Sequence, residues 1–498
     1  MNYTGKHVLV LGLGETGLAM ARWLLSCGAR LRVADTRPEP ARLPQLQQAA
    51  PDVEFVAGEF TAALLDDIDF IAVSPGLAPG RELAAIIPAA KERAAPLWSE
   101  IELFAQALAT LRTQRDYAPR IIAITGTNGK TTVTRLTGLL CARAGRTVQV
   151  AGNISPTALD MLRDVLERDA LPQIWVLELS SFQLHFTYTL AADAATILNV
   201  SQDHLDWHGD MAAYIADKQR IFSHDTVAIL NRQDQASAQQ LPPVATCRTF
   251  GVDVPQQDGC FGLQQDNGMQ WLVMAPMPEE AVGKRVKKDL FPAPVAVKHL
   301  MPSAALKIRG QHNATNALAA LALCSAIDLP LAPLLHGLRE YVGEPHRVEL
   351  VANIAGVDYY DDSKGTNVGA TLAALNGLGA ELGSTPRRLL LIAGGDGKGQ
   401  DFTPLAAALQ EYARAVFLIG KDGPAIRAAL AGTDLVLADC TTLEQAVRDA
   451  AALAQGGDAV LLSPACASLD MFRDYKHRAQ VFVDTVRELG LARGEVSA

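Results

Sequence analysis

The 498-residue chain has no cysteine pair spaced C-x-x-C, no low-complexity tract and no excess of positive charge. Its seven cysteines (Cys27, Cys141, Cys247, Cys260, Cys324, Cys440 and Cys466) are scattered and odd in number. That pattern excludes a disulfide framework and points to free thiols in a reducing cytosol. No apolar run reaches the ~18 residues of a membrane span, so no membrane insertion is expected. The apolar stretch after Lys6 has the outline of a signal peptide. Gly12, Gly14 and Glu15 interrupt it, however, and a strand–turn–helix accounts for it better. The expected location is therefore cytoplasmic. A formal net charge of -10 argues against a nucleic-acid partner, which calls for a basic face. Anions remain possible ligands where the local site is basic or built from backbone N–H groups.

What is present is the composition of an ordinary globular protein, 49% hydrophobic and 20% charged, long enough for about three domains. Short apolar runs alternate with amphipathic segments. Strands are expected at His7–Leu11, Leu31–Ala34, Phe70–Val73, Ile121–Thr125, Ile174–Leu177, Ala195–Val200, Leu389–Ala393, Val416–Gly420 and Ala459–Ser463. Runs apolar on both faces and separated by helices mark parallel sheets, so the fold class is α/β. Breaks near Ala94–Ser99 and Gly343–Arg347 divide the chain into 1–97, 98–343 and 344–498. Between Gly251 and Gly310 the helical rhythm stops. That stretch reads as a β-rich elaboration with a solvated loop carrying Lys284, Arg285, Lys287 and Lys288.

The strongest local signal is Ile121-Ile-Ala-Ile-Thr-Gly-Thr-Asn-Gly-Lys-Thr-Thr132. A buried strand ends at a glycine turn and a Lys-Thr pair opens a helix, so successive N–H groups can surround a phosphate chain. Lys130 can reach the terminal phosphates, and the Thr131 hydroxyl can join a Mg²⁺ shell. Ile124 stands where the general motif has its first glycine, which makes this a shorter variant with Gly126 nearer the lysine.

Glu178, Asp203 and His204 are each expected just beyond a strand, where ligands of parallel sheets collect. Together with the nearby hydroxyls they can complete a Mg²⁺ shell shared with phosphates. A lone glutamate at a strand end is also a common solvated residue or helix cap. Lys218 reads locally as a surface lysine on a helix. Asn313 and Asn316 can contact a purine or ribose, or can cap the helix that follows.

Near the N-terminus, Gly12-Leu-Gly-Glu-Thr-Gly17 follows the first strand and Asp35 ends the second. The spacing resembles a dinucleotide fingerprint, but its physical content is a diphosphate on a helix N-terminus. In the last third, Asp361-Asp-Ser-Lys-Gly-Thr-Asn367, Gly394-Gly-Asp-Gly-Lys398 and Leu462-Ser-Pro-Ala-Cys-Ala-Ser-Leu-Asp470 all follow strands. They put Lys364 and Lys398 on one rim, suited to carboxylates or phosphate; ordinary αβ loops are the bland alternative.

With these segments in hand, the chain resembles the Mur ligase family, amide-bond ligases of peptidoglycan precursor synthesis. The resemblance is carried by Gly126-Thr-Asn-Gly-Lys-Thr131, Glu178-Leu-Ser-Ser-Phe-Gln183, Asp203-His204, His312-Asn-Ala-Thr-Asn316 and His346-Arg347. It covers almost the whole length, except 256–302, which looks enlarged. Asp362-Ser-Lys-Gly-Thr-Asn367 and Ser463-Pro-Ala-Cys-Ala-Ser-Leu-Asp470 resemble the family's D-glutamate-adding branch.

The resemblance implies a Rossmann-like N-terminal domain for a UDP substrate, a P-loop-type central ATPase domain and a Rossmann-like C-terminal domain for the incoming amino acid. It implies ATP as co-substrate, two Mg²⁺ ions, UDP-N-acetylmuramoyl-L-alanine and D-glutamate as substrates, and a monomer. ATP contacts are implied for Gly126, Thr127, Asn128, Gly129, Lys130, Thr131, Thr132, Asn313, Asn316 and Arg347. Thr131 and Glu178 match ligands of one metal and His204 a ligand of the second, while Lys218 matches a lysine carried as a carbamate. The UDP substrate is implied to meet Thr16, Asp35, Thr36, Arg37, Ser74, Gly76, Asn153 and Gln183. The D-glutamate pocket is implied at Lys364, Thr366, Lys398, Ser468 and Tyr475. Tyr475 stands where the family pattern has phenylalanine, a change that a main-chain contact tolerates.

Other readings stay open on the sequence alone. Another Mur-type ligase is one alternative; a folylpolyglutamate-like ligase is a second, but it leaves the N-terminal diphosphate unit without a purpose. A nicotinamide oxidoreductase leaves Lys130 and Glu178 idle. A non-catalytic nucleotide-binding regulator predicts ATP binding without turnover.

Overall fold

The computed structural model describes residues 2–238, 241, 244, 246–277, 295–382 and 388–495. The lysine- and arginine-bearing segment 284–288 lies outside them. The chain forms two compact units, one of residues 1–303 with 316–339, the other of 304–315 with 340–498.

The first unit contains three sheets. The N-terminal sheet has five parallel strands in the order Glu54–Ala57, Arg30–Asp35, His7–Leu11, Phe70–Val73 and Leu97–Trp98. The second has six parallel strands in the order Thr246–Phe250, Val227–Asn231, Ala194–Ile197, Arg120–Thr125, Ile174–Glu178 and Val148–Gly152. The third is the expected β-rich elaboration, an antiparallel sheet of Phe261–Asp266, Met269–Met274 and Lys298–Pro302. The second unit holds one six-stranded sheet. Its strands run Glu349–Ile354, Val357–Asp361, Ala459–Leu462, Leu389–Gly394, Ala413–Ile419 and Val436–Asp439, and only the first pair is antiparallel. Among the described residues, no helix is long and apolar enough to cross a membrane.

The composition break at Ala94–Ser99 does mark the start of a helix, Glu100–Arg115. Ser99 caps it by accepting the Glu102 amide, acidic residues fill its first turn and arginines its last, as the helix dipole favours. The break does not interrupt the packing. Leu97–Trp98 still pairs with the first sheet, and Ile101, Phe104 and Leu108 join Val10 and Val33 to Ala123, Trp175 and Leu177 in one core. One strand is shorter than expected. Pairing stops at Ile197, because the next residues turn to the phosphate loop: the Asn199 carbonyl accepts the Thr127 amide at 2.8 Å. Asp203 therefore sits well beyond the strand rather than just after it.

Glu100 is fully buried. Its Oε1 accepts the Leu159 amide at 2.6 Å at the start of helix Ala158–Glu167, while Oε2 has no partner among the described residues. Burial pushes its pKa up to about 7, against the smaller opposing effect of the amides. A carboxyl raised in the folded state binds its proton more tightly there, so stability falls as pH rises from about 4.5 to about 7. Glu100→Gln should unfold at the same urea concentration as the native chain at pH 4.5. It should be more stable by about 3 kcal/mol at pH 8, as followed by urea titration at the two pH values.

Candidate active site

Three central strands of the second sheet, Arg120–Thr125, Ile174–Glu178 and Ala194–Ile197, are neighbours, and the expected functional segments lie at their C-terminal ends. The phosphate loop is tightly latched. The Asn199 side chain accepts the Asn128 amide at 2.8 Å and donates to the Asn128 carbonyl at 3.1 Å. Thr127 Oγ1 accepts the Ser201 amide and lies 3.2 Å from the Tyr214 hydroxyl. Gly126 has φ +154°, and a Cβ there would meet Leu198 at 3.0 Å, so glycine lets the loop close onto this segment. Asn199 and Tyr214 are functional candidates that sequence reasoning passed over; only their sequence proximity to Asp203 and Lys218 could have suggested them.

Lys130 opens the helix Lys130–Arg143 and donates to the carbonyls of Gly126 and Thr127, both at 2.8 Å. Thr131 and Thr132 are buried beside it. Glu178 is buried at 2% exposure, which rules out a solvated strand-end residue. Its Oε1 accepts Asn153 Nδ2 at 2.9 Å, whereas Oε2 has no partner among the described residues. A buried carboxylate oxygen left open at a phosphate loop fits a hard cation. His204 adopts φ +56° and packs edge-on against Phe182 at 4.8 Å. Gln183 takes a structural part as well, closing a capping box with Ser180 at the start of helix Ser181–His185.

Lys218 overturns its local reading as a surface lysine. It is 1% exposed, lies 4.4 Å from the Tyr214 ring centroid and donates to the Gly126 carbonyl at 3.1 Å. Burial, and then the charge of Lys130, hold its pKa well below the usual lysine range.

The N-terminal sheet carries a cavity of about 370 Å³ lined by Thr16, Asp35, Thr36, Arg37, Ser74 and Gly76, among others. Asp35 accepts the Leu13 amide at 2.7 Å and the Arg37 guanidinium at 2.8 Å. Its carboxylate thus shapes the cavity while Arg37 remains exposed at the rim. Burial works against its ionisation, but these hydrogen bonds prevail and its pKa falls. A Cβ on Gly17 would stand 1.9 Å from the Gly12 carbonyl, so this turn tolerates no side chain.

In the second unit, Asn313 and Arg347 line a cavity of about 710 Å³ with Lys307 and Arg309. Asn316 belongs to the first unit, where its Oδ1 would meet a Cβ on Gly129 at 2.8 Å. The loops after Asp361, Gly394 and Leu462 converge as expected. Asp396 pairs with Ala467, and Ser463 Oγ donates to Asp362 at 2.7 Å. Burial pushes Asp362 up to about 7. Lys364 Nζ lies 5.7 Å from the Tyr475 ring centroid, Thr366 is partly buried, Ser468 is buried and Lys398 is exposed. Arg478, which the sequence did not single out, is fully buried and donates to the carbonyls of Ser363 and Cys466, tying two of these loops together.

Comparison with known proteins accords with this layout. Family models match residues 6–95 (Mur ligase MurD-like, N-terminal domain), 124–324 (Mur ligase middle domain) and 346–466 (Mur ligase, glutamate ligase domain). The UDP-N-acetylmuramoylalanine–D-glutamate ligase of Ralstonia nicotianae is 59% identical over 494 residues, covering 98% of each chain. That of Burkholderia thailandensis is 58% identical over 500 residues, again 98% of each. Among solved structures, UDP-N-acetylmuramate-alanine ligase of Thermotoga maritima aligns over 97% of this chain and 99% of its own, with TM-score 0.55 and 20% identity. FolC of E. coli covers 78% of this chain and 93% of its own, with TM-score 0.53 and 19% identity. These two show a shared fold, whereas the identity to the curated relatives, sustained from end to end, settles the kinship: the chain belongs to the Mur ligase family.

Proposed function

We propose that this chain joins D-glutamate to UDP-N-acetylmuramoyl-L-alanine at the expense of ATP, in peptidoglycan precursor synthesis. The reading rests on one arrangement above all: a latched phosphate loop beside a buried carboxylate whose second oxygen is open. The full-length kinship to ligases bearing that name supports the choice of substrates.

In the first step a carboxylate oxygen of the acceptor attacks the γ-phosphorus of ATP, forming an acyl phosphate and releasing ADP. The amine of D-glutamate then attacks the acyl carbon. A tetrahedral intermediate collapses, phosphate leaves with the former carboxylate oxygen, and the nitrogen sheds its proton. The loop amides and Lys130 hold the phosphates in line; Lys130, now folded onto two loop carbonyls, swings to them when ATP enters. Thr16, Asp35, Thr36, Arg37, Ser74 and Gly76 take the uridine diphosphate end, with Asn153 and Gln183 toward the reacting end. Asn313, Asn316 and Arg347 take the nucleotide, and Lys364, Thr366, Lys398, Ser468 and Tyr475 take D-glutamate.

Thr131, Glu178 and His204 suit two Mg²⁺ ions, which when bound neutralise charge developing on the phosphates. Lys218 fits as a carbamate: a buried amine kept neutral by its surroundings is the form that adds CO₂, and the product is an anion.

Phosphate release from Mg-ATP and UDP-N-acetylmuramoyl-L-alanine should require D-glutamate and be absent with L-glutamate. Release independent of the amino acid would refute the assignment. Lys130→Ala should lower kcat by roughly 10²–10³-fold, while Lys398→Ala should chiefly raise the KM for D-glutamate in the same assay. Incubation with ¹³C-bicarbonate should give a carbamate NMR resonance that disappears in Lys218→Arg; an active enzyme without that resonance would contradict the modification.

A further inference from the structure

A buried hydrogen-bonded chain in the first unit is used by none of the roles above. Asp217, 6% exposed, accepts His208 Nδ1 at 3.0 Å and His185 Nδ1 at 2.9 Å. The His208 side chain is wholly enclosed, between the rings of Trp207 at 4.4 Å, Tyr214 at 5.0 Å and Phe182 at 5.4 Å. Its Nε2 lies 2.9 Å from Ser181 Oγ. An ionised carboxylate only accepts, so both histidines present Nδ1–H to Asp217, which leaves His208 Nε2 for the bond to Ser181 Oγ. The order serine–histidine–aspartate is that of a hydrolytic triad. Ser181, however, is 2% exposed and leaves a substrate no access.

We propose that Ser181, His208 and Asp217 are positioning residues for the metal-binding side chains. Each sits next to one of them in sequence. Ser181 follows Glu178 by one short loop, His208 follows His204 by one helical turn, and Asp217 directly precedes Lys218. Two hydrogen bonds therefore connect the start of helix Ser181–His185, just after Glu178, with the short helix Leu205–His208 and the helix Met211–Gln219. They fix the spacing of the three ligand-bearing segments from behind. Mg²⁺ accepts little deviation from octahedral geometry, so ligands on three separate segments need such a tie, and disturbing one of this kind typically weakens metal affinity about 10–100-fold.

This inference rests on the ligand assignment proposed above, and its test separates the two. Mn²⁺ binding in the presence of ADP is followed by electron paramagnetic resonance, and ADP affinity is measured separately in EDTA. His208→Ala and Asp217→Asn should weaken Mn²⁺ binding by at least about tenfold while ADP affinity in EDTA stays unchanged, a split that general destabilisation does not produce. Glu178→Ala should lose Mn²⁺ binding outright. Native Mn²⁺ affinity in His208→Ala, alongside loss in Glu178→Ala, overturns the positioning role. Native affinity in both removes the ligand assignment beneath it. Should His208→Ala fail to fold, Ser181→Ala deletes a single oxygen and decides by the same readout: weakened Mn²⁺ binding upholds the chain, and unchanged binding overturns it.

Discussion

The Gly126 carbonyl oxygen takes hydrogen bonds from two lysines, Lys130 at 2.8 Å and Lys218 at 3.1 Å. Two ammonium groups held on one oxygen repel each other by on the order of 3 kcal/mol at an effective dielectric constant of about 20, and Lys218 adds the cost of complete burial. The pair is therefore unequal. Lys130 opens a helix at the glycine turn, where the proposed function puts the ATP phosphates, while burial drives Lys218 toward neutrality. In the proposed function, Lys130 supplies the cation that phosphoryl transfer needs and Lys218 carries the carbamate.

That inequality depends on how rigidly the surrounding segments are held. The phosphate loop cannot relax outward, because Asn199 and Thr127 bind it to the segment that leads to His204. The helix bearing Lys218 cannot withdraw, because Tyr214 reaches the loop and Asp217 is gripped by two histidines. Glu178 is held by Asn153 on one oxygen and left open on the other. The result is a buried carboxylate oxygen left open on the strand beside the phosphate loop that carries Lys130. ATP and a divalent cation together match that combination better than a nicotinamide cofactor does, despite the fingerprint-like glycines near the N-terminus.

Much of this was legible in the sequence where the signal is local. The strand–glycine–lysine run at Ile121–Thr132, the glycines after His7–Leu11 and the central strands of each parallel sheet could all be read directly. Strands at sheet margins could not. Glu54–Ala57 and Val436–Asp439 are only four residues long and half exposed, their apolar runs are too short to stand out, and Thr246–Phe250 is exposed at its start. Long-range burial was equally hidden. Lys218 looked like a solvated lysine because nothing near it in sequence shows that its helix packs under the phosphate loop. Arg478 looked like one more helical arginine, although two distant carbonyls claim it. The family resemblance pointed to Lys218 where residue chemistry did not, but it gave no hint of the chain through His208 and Asp217.

The central claim is that phosphoryl transfer to the acceptor carboxylate activates it for attack by the amine. The most direct measurement uses UDP-N-acetylmuramoyl-L-alanine labelled with ¹⁸O in its alanine carboxylate and follows the label through one turnover with Mg-ATP and D-glutamate. The account predicts that one labelled oxygen appears in the released phosphate and the other stays in the new amide, as read by mass spectrometry. Phosphate carrying no label, with amide formed all the same, would contradict an acyl phosphate and with it the mechanism assigned to this site.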